Sequence, residues 1–182
     1  HVRLSIIDLP ERSNQPMISP LTSNIILFNG ELYNYIEIKN NLKQKEVIFE
    51  TEGDTEVILK AIEKNGISAI KEFNGAWSFV FYNRKHNKII ISRDRYGKKP
   101  FYYYKDNENL IISSEIKSIF SLLSKKRNVR KEYIKAFIDH NYWPNDTEDT
   151  LYYNIKQLLP GEIGEVSLSD KDLKIKKIIL IH

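Results

Sequence analysis

The chain has 182 residues, of which 41% are hydrophobic, with 28 basic against 24 acidic side chains and no cysteine. That length fits one domain with the start of a second, the apolar fraction suffices for a core, and disulfides are excluded. Four scattered histidines give no reason to expect a zinc site, and no apolar run reaches the roughly 20 residues of a membrane helix.

No signal-peptide pattern opens the chain, so a cytoplasmic location is the expectation. The net charge of +4 is small, and its one dense segment is Lys125-Lys126-Arg127-Asn128-Val129-Arg130-Lys131. That run lies between two helical patterns and reads as a solvated connector, not a nucleic-acid stripe. The first residue is His1 and strand character already begins at Arg3. A preceding N-terminal segment is therefore expected.

In chain order, residues 4–7 read as a strand and residues 10–20 as a polar loop with prolines near both ends. Residues 24–28 are a second strand that runs into Asn29-Gly30. Ile38 and Leu42, four apart, predict a short helix over 35–42. Residues 46–51 read as a short strand closed by Gly53. Val57, Ile58, Ala61 and Ile62 mark a helical face over 54–64, with Asp54 at the N-cap position.

Asn74-Gly75 leads into a strand over 73–82, which pairs with 88–92 as a hairpin across a polar turn. A second hairpin joins 101–105 to 110–113. A helix over 115–123 points Ile116, Ile119, Phe120 and Leu123 inward. A further helix over 131–141 sets Tyr133, Ala136 and Phe137 on one side. Turns follow at Trp143 to Asp146 and at Leu158 to Gly161, the latter entering a strand over 162–168. Residues 173–180 are strand-like, with an apolar tail at 178–181.

Four segments carry residues suited to chemistry. Asn29-Gly30 offers an amide side chain and an unencumbered backbone N–H, the two donors an oxyanion needs. It is equally a common turn signal, although Glu31 to Asn34 does not resume strand alternation. Both readings stay open on the residues alone. Arg3 can grip a carboxylate with two parallel hydrogen bonds or lie in solvent at a strand end. Asp54 can cap its helix, present its carboxylate to an ammonium group, or do both with separate oxygens. Arg93-Asp94-Arg95-Tyr96-Gly97-Lys98-Lys99-Pro100, punctuated by Gly97 and Pro100, reads as structural support, as an internal ion-pair lattice or a surface turn. His86, His140 and the terminal histidines have no partner spacing.

Taken together, Arg3-Leu4-Ser5-Ile6-Ile7-Asp8, Asn29-Gly30-Glu31-Leu32-Tyr33-Asn34, Gly53-Asp54-Thr55-Glu56-Val57-Ile58, Phe73-Asn74-Gly75-Ala76-Trp77-Ser78-Phe79 and Arg93 to Pro100 resemble class II glutamine amidotransferase domains. Within that class they are most similar to the glutaminase domain of glutamine-hydrolysing asparagine synthetases. Ser113-Ser114-Glu115-Ile116-Lys117 and Leu159-Pro160-Gly161 look like the same pattern running toward a synthetase domain. The resemblance implies an α+β fold, the four-layer αββα sandwich of the N-terminal nucleophile hydrolases, with mostly antiparallel sheets and incomplete at the N-terminus. Residues 1–124 would be the amidotransferase domain, truncated, and 125–182 its end with a linker toward the synthetase domain.

By the same resemblance, Asn29 and Gly30 form the oxyanion hole and Arg3 binds the α-carboxylate of glutamine. Glu31 and Asp54 hold its α-ammonium, and Leu4, Ser5, Ile6 and Ile7 wall the pocket. The family's nucleophile is an N-terminal cysteine whose own amine serves as base. This chain has none, so alone it is expected to be inactive. No metal or cofactor is expected in this part; ATP and Mg²⁺ belong to the synthetase domain, which activates aspartate for amidation. The partners implied are L-glutamine and the synthetase domain, with a homodimer as one form of assembly, and neither nucleic acid nor membrane. A cysteine-free regulatory module that binds glutamine, and a glutaminase domain serving another acceptor, are the alternatives.

Overall fold

A computed structural model describes residues 14–123, 127–141 and 147–169, and the backbone of 175–179. In chain order the elements are β1 (Met17–Ile18), β2 (Ile25–Leu32), α1 (Tyr35–Lys43), α2 (Asp54–Asn65), a 3-10 helix (Gly66–Glu72), β3 (Gly75–Asn83), β4 (Lys88–Arg93), β5 (Tyr102–Lys105), β6 (Leu110–Ser113), α3 (Ile116–Leu122), α4 (Lys131–His140), β7 (Ile155–Gln157), β8 (Glu162–Ser167) and β9 (Ile175–Ile179). Six strands form one sheet in the order β1-β2-β3-β4-β8-β9, and three form another in the order β6-β5-β7. Every pairing is antiparallel.

Strand alternation decides which side chains meet. On one face of the larger sheet, Ile26, Phe28 and Leu32 of β2 join Trp77, Phe79 and Phe81 of β3. These pack against Ile38 and Leu42 of α1 and Val57, Ile58, Ala61 and Ile62 of α2. Burying each large side chain contributes about 1.5–3 kcal/mol, so this face holds much of the fold. The indole N–H of fully buried Trp77 is satisfied by Ser92 Oγ at 3.0 Å.

The opposite face presents Val80, Ile89 and Ile91 to Phe101, Tyr103, Leu110, Ile112 and Leu158. The two sheets therefore face one another. The far side of the smaller sheet carries Tyr104, Ile111 and Ile155 against Ile116, Ile119, Phe120 and Leu123 around α3. The architecture is α+β with antiparallel sheets.

Several expectations are corrected. The strand over 24–28 does not stop at Asn29-Gly30 but continues to Leu32, in register with β3 from Ile25↔Tyr82 to Leu32↔Gly75. Alternation is in fact kept: Phe28, Gly30 and Leu32 share the core face, and the glycine masks it by having no side chain. The gap is filled from across the ladder. A Cβ on Gly30 would lie 2.1 Å from the Ala76 carbonyl oxygen, at φ +152.

No strand forms over 46–51. The Glu56 carboxylate takes the N–H groups of Glu50 at 3.0 Å and Thr51 at 2.7 Å, together with the Thr51 hydroxyl at 2.7 Å. Lys39 Nζ binds the Thr51 carbonyl at 2.8 Å and Glu52 at 2.6 Å. These side chains use the backbone groups that a ladder would need.

Asp54 is not the N-cap of α2; that position is Gly53, in extended geometry, and Asp54 is the first helical residue. β1 interrupts the expected polar loop, and the 3-10 helix and β7 had no periodic signal strong enough to predict them. Phe137 of α4 is 49% exposed, while Tyr133 and Ala136 are half-buried. Arg130 is more than a connector residue: it pairs with Asp149 at 2.9 Å and lies over the Tyr153 ring at 4.2 Å. The expected strand over 4–7 and turn over 143–146 lie outside the described residues.

Candidate functional site

The site is built on the end of β2. In an antiparallel ladder successive N–H groups point to opposite edges. Tyr33 N–H donates to the Asn74 carbonyl on the β3 side at 2.8 Å. The N–H groups of Phe28, Gly30 and Leu32 therefore point to the other edge. There Phe28 donates to Gln15 Oε1 at 2.6 Å, and Leu32 donates to Asp54 Oδ2 at 3.0 Å. Between them no acceptor among the described residues takes the Gly30 N–H.

Asn29 and Glu31 alternate with these residues and share the face turned toward the smaller sheet. Asn29 lines a cleft of about 630 Å³ with Leu27, Ser78, Phe101, Ile112 and Ser118. Its register partner is Ser78. Among the described residues the Asn29 carboxamide makes no side-chain hydrogen bond. Among the described residues, a backbone donor at Gly30 and a side-chain amide at Asn29 thus stand without a partner at consecutive positions of β2, the amide in the cleft. Such a pair can hold a developing oxyanion.

The carboxylates are placed by different means. Glu31 follows Gly30 directly, half-buried, opposite Ala76. Asp54 is buried and reaches β2 across the fold from the start of α2. The structure thus brings Asn29, Gly30, Glu31 and Asp54 to one end of one strand. Arg3, Leu4, Ser5, Ile6 and Ile7 lie outside the described residues.

Two residues that hold backbone around β2 and α2 were not singled out from the sequence. Gln15 bonds the strand edge from a loop and carries no sequence signal. Glu56 was readable in principle, since it stands three residues after the Gly53 cap, where an acidic side chain reaches back to N–H groups before a helix. The Arg93 to Pro100 segment is structural support, held by hydrogen bonds to the backbone, with no ion pair of its own among the described residues. Asp94 is fully buried and accepts the N–H groups of Tyr96, Lys98 and Lys99, each at 3.0 Å. Arg93 donates to the carbonyls of Lys99 at 2.8 Å, Gly97 at 2.9 Å and Leu158 at 2.7 Å. Burial holds its guanidinium below the ordinary value, opposed by Tyr102 and Asp94.

The family model described as glutamine amidotransferase domain matches residues 1–177. The chain belongs to that family. This amidotransferase domain is of class II and related to asparagine synthetases. It is 40% identical over 161 residues to a Methanocaldococcus jannaschii protein assigned as glutamine-hydrolyzing asparagine synthetase 2, covering 80% of this chain and 31% of that protein. It is 33% identical over 175 residues to asparagine synthetase 2 of Bacillus subtilis, covering 94% of this chain and 23% of the relative. The chain thus spans between 23% and 31% of the length of these relatives. Its fold resembles glutamine phosphoribosylpyrophosphate amidotransferase from B. subtilis, solved with ADP and GMP, at a TM-score of 0.63 and 20% identity, over 97% of this chain and 34% of that one.

Proposed function

We propose that this amidotransferase domain binds L-glutamine and serves as the glutaminase part of a glutamine-hydrolysing asparagine synthetase. In the whole enzyme, ammonia released from glutamine would amidate aspartate at the expense of ATP, with Mg²⁺, in a synthetase domain. The domain would then take the four-layer αββα sandwich of the N-terminal nucleophile type. The observation that carries it is the Gly30 N–H, which among the described residues has no acceptor between two neighbours held by Gln15 and Asp54, next in sequence to Asn29.

The chemistry follows from the charges of glutamine. Its amino-acid end carries one anion and one cation, which Arg3 and the Glu31–Asp54 pair would meet. Its carboxamide, at the other end, would direct the carbonyl oxygen at Asn29 and Gly30. Attack on that carbon needs a thiolate, which no residue of this chain supplies. The N-terminal cysteine of the family would provide it.

The test is glutamate and ammonia release by the full-length gene product containing these residues. Losing one oxyanion donor typically costs about 3 kcal/mol in the transition state, so Asn29→Ala should reduce kcat by roughly a hundredfold. Arg3→Ala should chiefly raise KM, and an unchanged KM removes Arg3 from the clamp. The absence of cysteine favours one other reading, a regulatory module that binds glutamine without hydrolysing it. Binding without any product release in the full-length protein would select that reading.

A further inference from the structure

Two motifs singled out in the sequence have residues that make no hydrogen bond to the described residues of the proposed glutamine site: Asn34, at the end of Asn29 to Asn34, and Arg95. Both grip the same short segment from different sides. Asn34 Oδ1 accepts the Asn74 N–H at 3.0 Å, and its Nδ2 donates to the Glu72 carbonyl at 2.9 Å. Arg95 donates from its two terminal nitrogens to the carbonyls of Phe73 and Lys71. Four successive residues, 71–74, are thereby fixed by two side chains.

That segment leads directly into β3, whose Gly75, Ala76 and Trp77 stand opposite Leu32, Glu31 and Gly30. The approach there is close. A Cβ on Gly75 would lie 2.3 Å from the Glu31 carbonyl oxygen, and one on Gly30 would lie 2.1 Å from that of Ala76. Small shifts of the 71–74 segment must therefore pass to Gly30 and Glu31, because the ladder leaves no slack. Arg95 is itself anchored. It adjoins Asp94, whose carboxylate is held by three backbone N–H groups and whose carbonyl accepts from Gly97 and Gly161.

We propose that Asn34 and Arg95 are positioning residues that set the place of the Gly30 N–H through the 71–74 segment and the Glu31–Ala76 backbone pair. The inference rests on the glutamine reading for its functional consequence. Asn34 works from the β2 side and Arg95 from the rigid loop after β4, so the oxyanion donor is braced against both. A fork with two donors is needed at Arg95, since it bridges carbonyls two residues apart; a lysine offers only one point of attachment.

The experiment uses the full chain with Asn34→Ala and Arg95→Lys, and two probes, L-glutamine and L-norvaline. Norvaline has the same amino-acid end without the carboxamide. Calorimetry should show that each variant loses about tenfold in preference for glutamine over norvaline, with norvaline affinity little changed. A fall of equal size for both amino acids, or no fall in preference, overturns the assignment.

A readout free of ligand keeps the two claims apart. Alternation makes Glu31 and Ala76 a hydrogen-bonded pair, as it does Leu27 and Val80 further along the ladder. Amide exchange should quicken about tenfold at Glu31 and not at Leu27 in either variant. Equal change at both positions, or none at Glu31, overturns the positioning role. If the unmodified chain binds neither amino acid, the glutamine reading falls, and exchange at Glu31 still decides whether the brace exists.

Discussion

Asp54 closes the end of β2: its Oδ2 accepts the Leu32 N–H at 3.0 Å, although the residues stand 22 apart in the chain. This bond joins the start of α2 to the strand that carries Asn29, Gly30 and Glu31. It also gives a buried carboxylate a fixed orientation, as the proposed ammonium site would require. The consequence separates two roles by substitution. Asp54→Asn keeps an acceptor for Leu32 and removes the charge, so the fold should hold while glutamine affinity falls. Asp54→Ala should in addition lower stability by about 1–3 kcal/mol, the cost of an unsatisfied buried N–H. Urea unfolding and calorimetry on both variants measure the difference.

Gly30 is expected to tolerate no side chain. Its φ of +152 and the contact at 2.1 Å with the Ala76 oxygen oppose a methyl group by conformation and by collision. Gly30→Ala should cost more than about 2 kcal/mol. Gly66 supplies the control, because its φ of +63 is also positive yet nothing lies within 4 Å of a Cβ there. Gly66→Ala should cost about 1–3 kcal/mol, the conformational part alone. Equal losses at the two sites in urea titrations would remove the steric argument.

Glu56 organises the segment before α2. It accepts from two backbone N–H groups and one hydroxyl. Hydrogen bonds to charged groups contribute about 1.5–3 kcal/mol each, so Glu56→Ala should destabilise by at least that amount. Amide exchange at Glu50 and Thr51 should rise ahead of exchange in β3, and unchanged protection at these two amides would remove Glu56 from this role.

Acid should act on the cluster around Arg130. The Asp149 carboxyl is held below its ordinary value, first by its hydrogen bond from Lys156 and also by the charges of Lys156 and Arg130. A depressed folded-state value means the contribution is complete above the unfolded aspartate value of about 3.9 and is lost as pH falls through the folded one. Thermal midpoints followed from neutral pH down to about pH 3 should therefore drop less steeply in Asp149→Asn than in the unmodified chain. Identical acid limbs would show that the cluster is not linked to folding.

The amino-acid sequence by itself determined the helical faces of α1 and α2 and the hairpins β3–β4 and β5–β6. Those features are encoded by period and by residue type, which are local quantities. The tertiary structure alone decided the rest. Gly30 looked like the end of a strand because its place in the alternation is filled by Trp77 and the Ala76 carbonyl of a strand more than 40 residues away. Asp54 looked like a helix cap because its acceptor role is fulfilled by Leu32, not by its own helix. The stretch over 46–51 had strand composition, but Glu56 and Lys39 took its backbone groups first. In each case a long-range hydrogen bond or contact outweighed a local preference worth no more than about 1 kcal/mol.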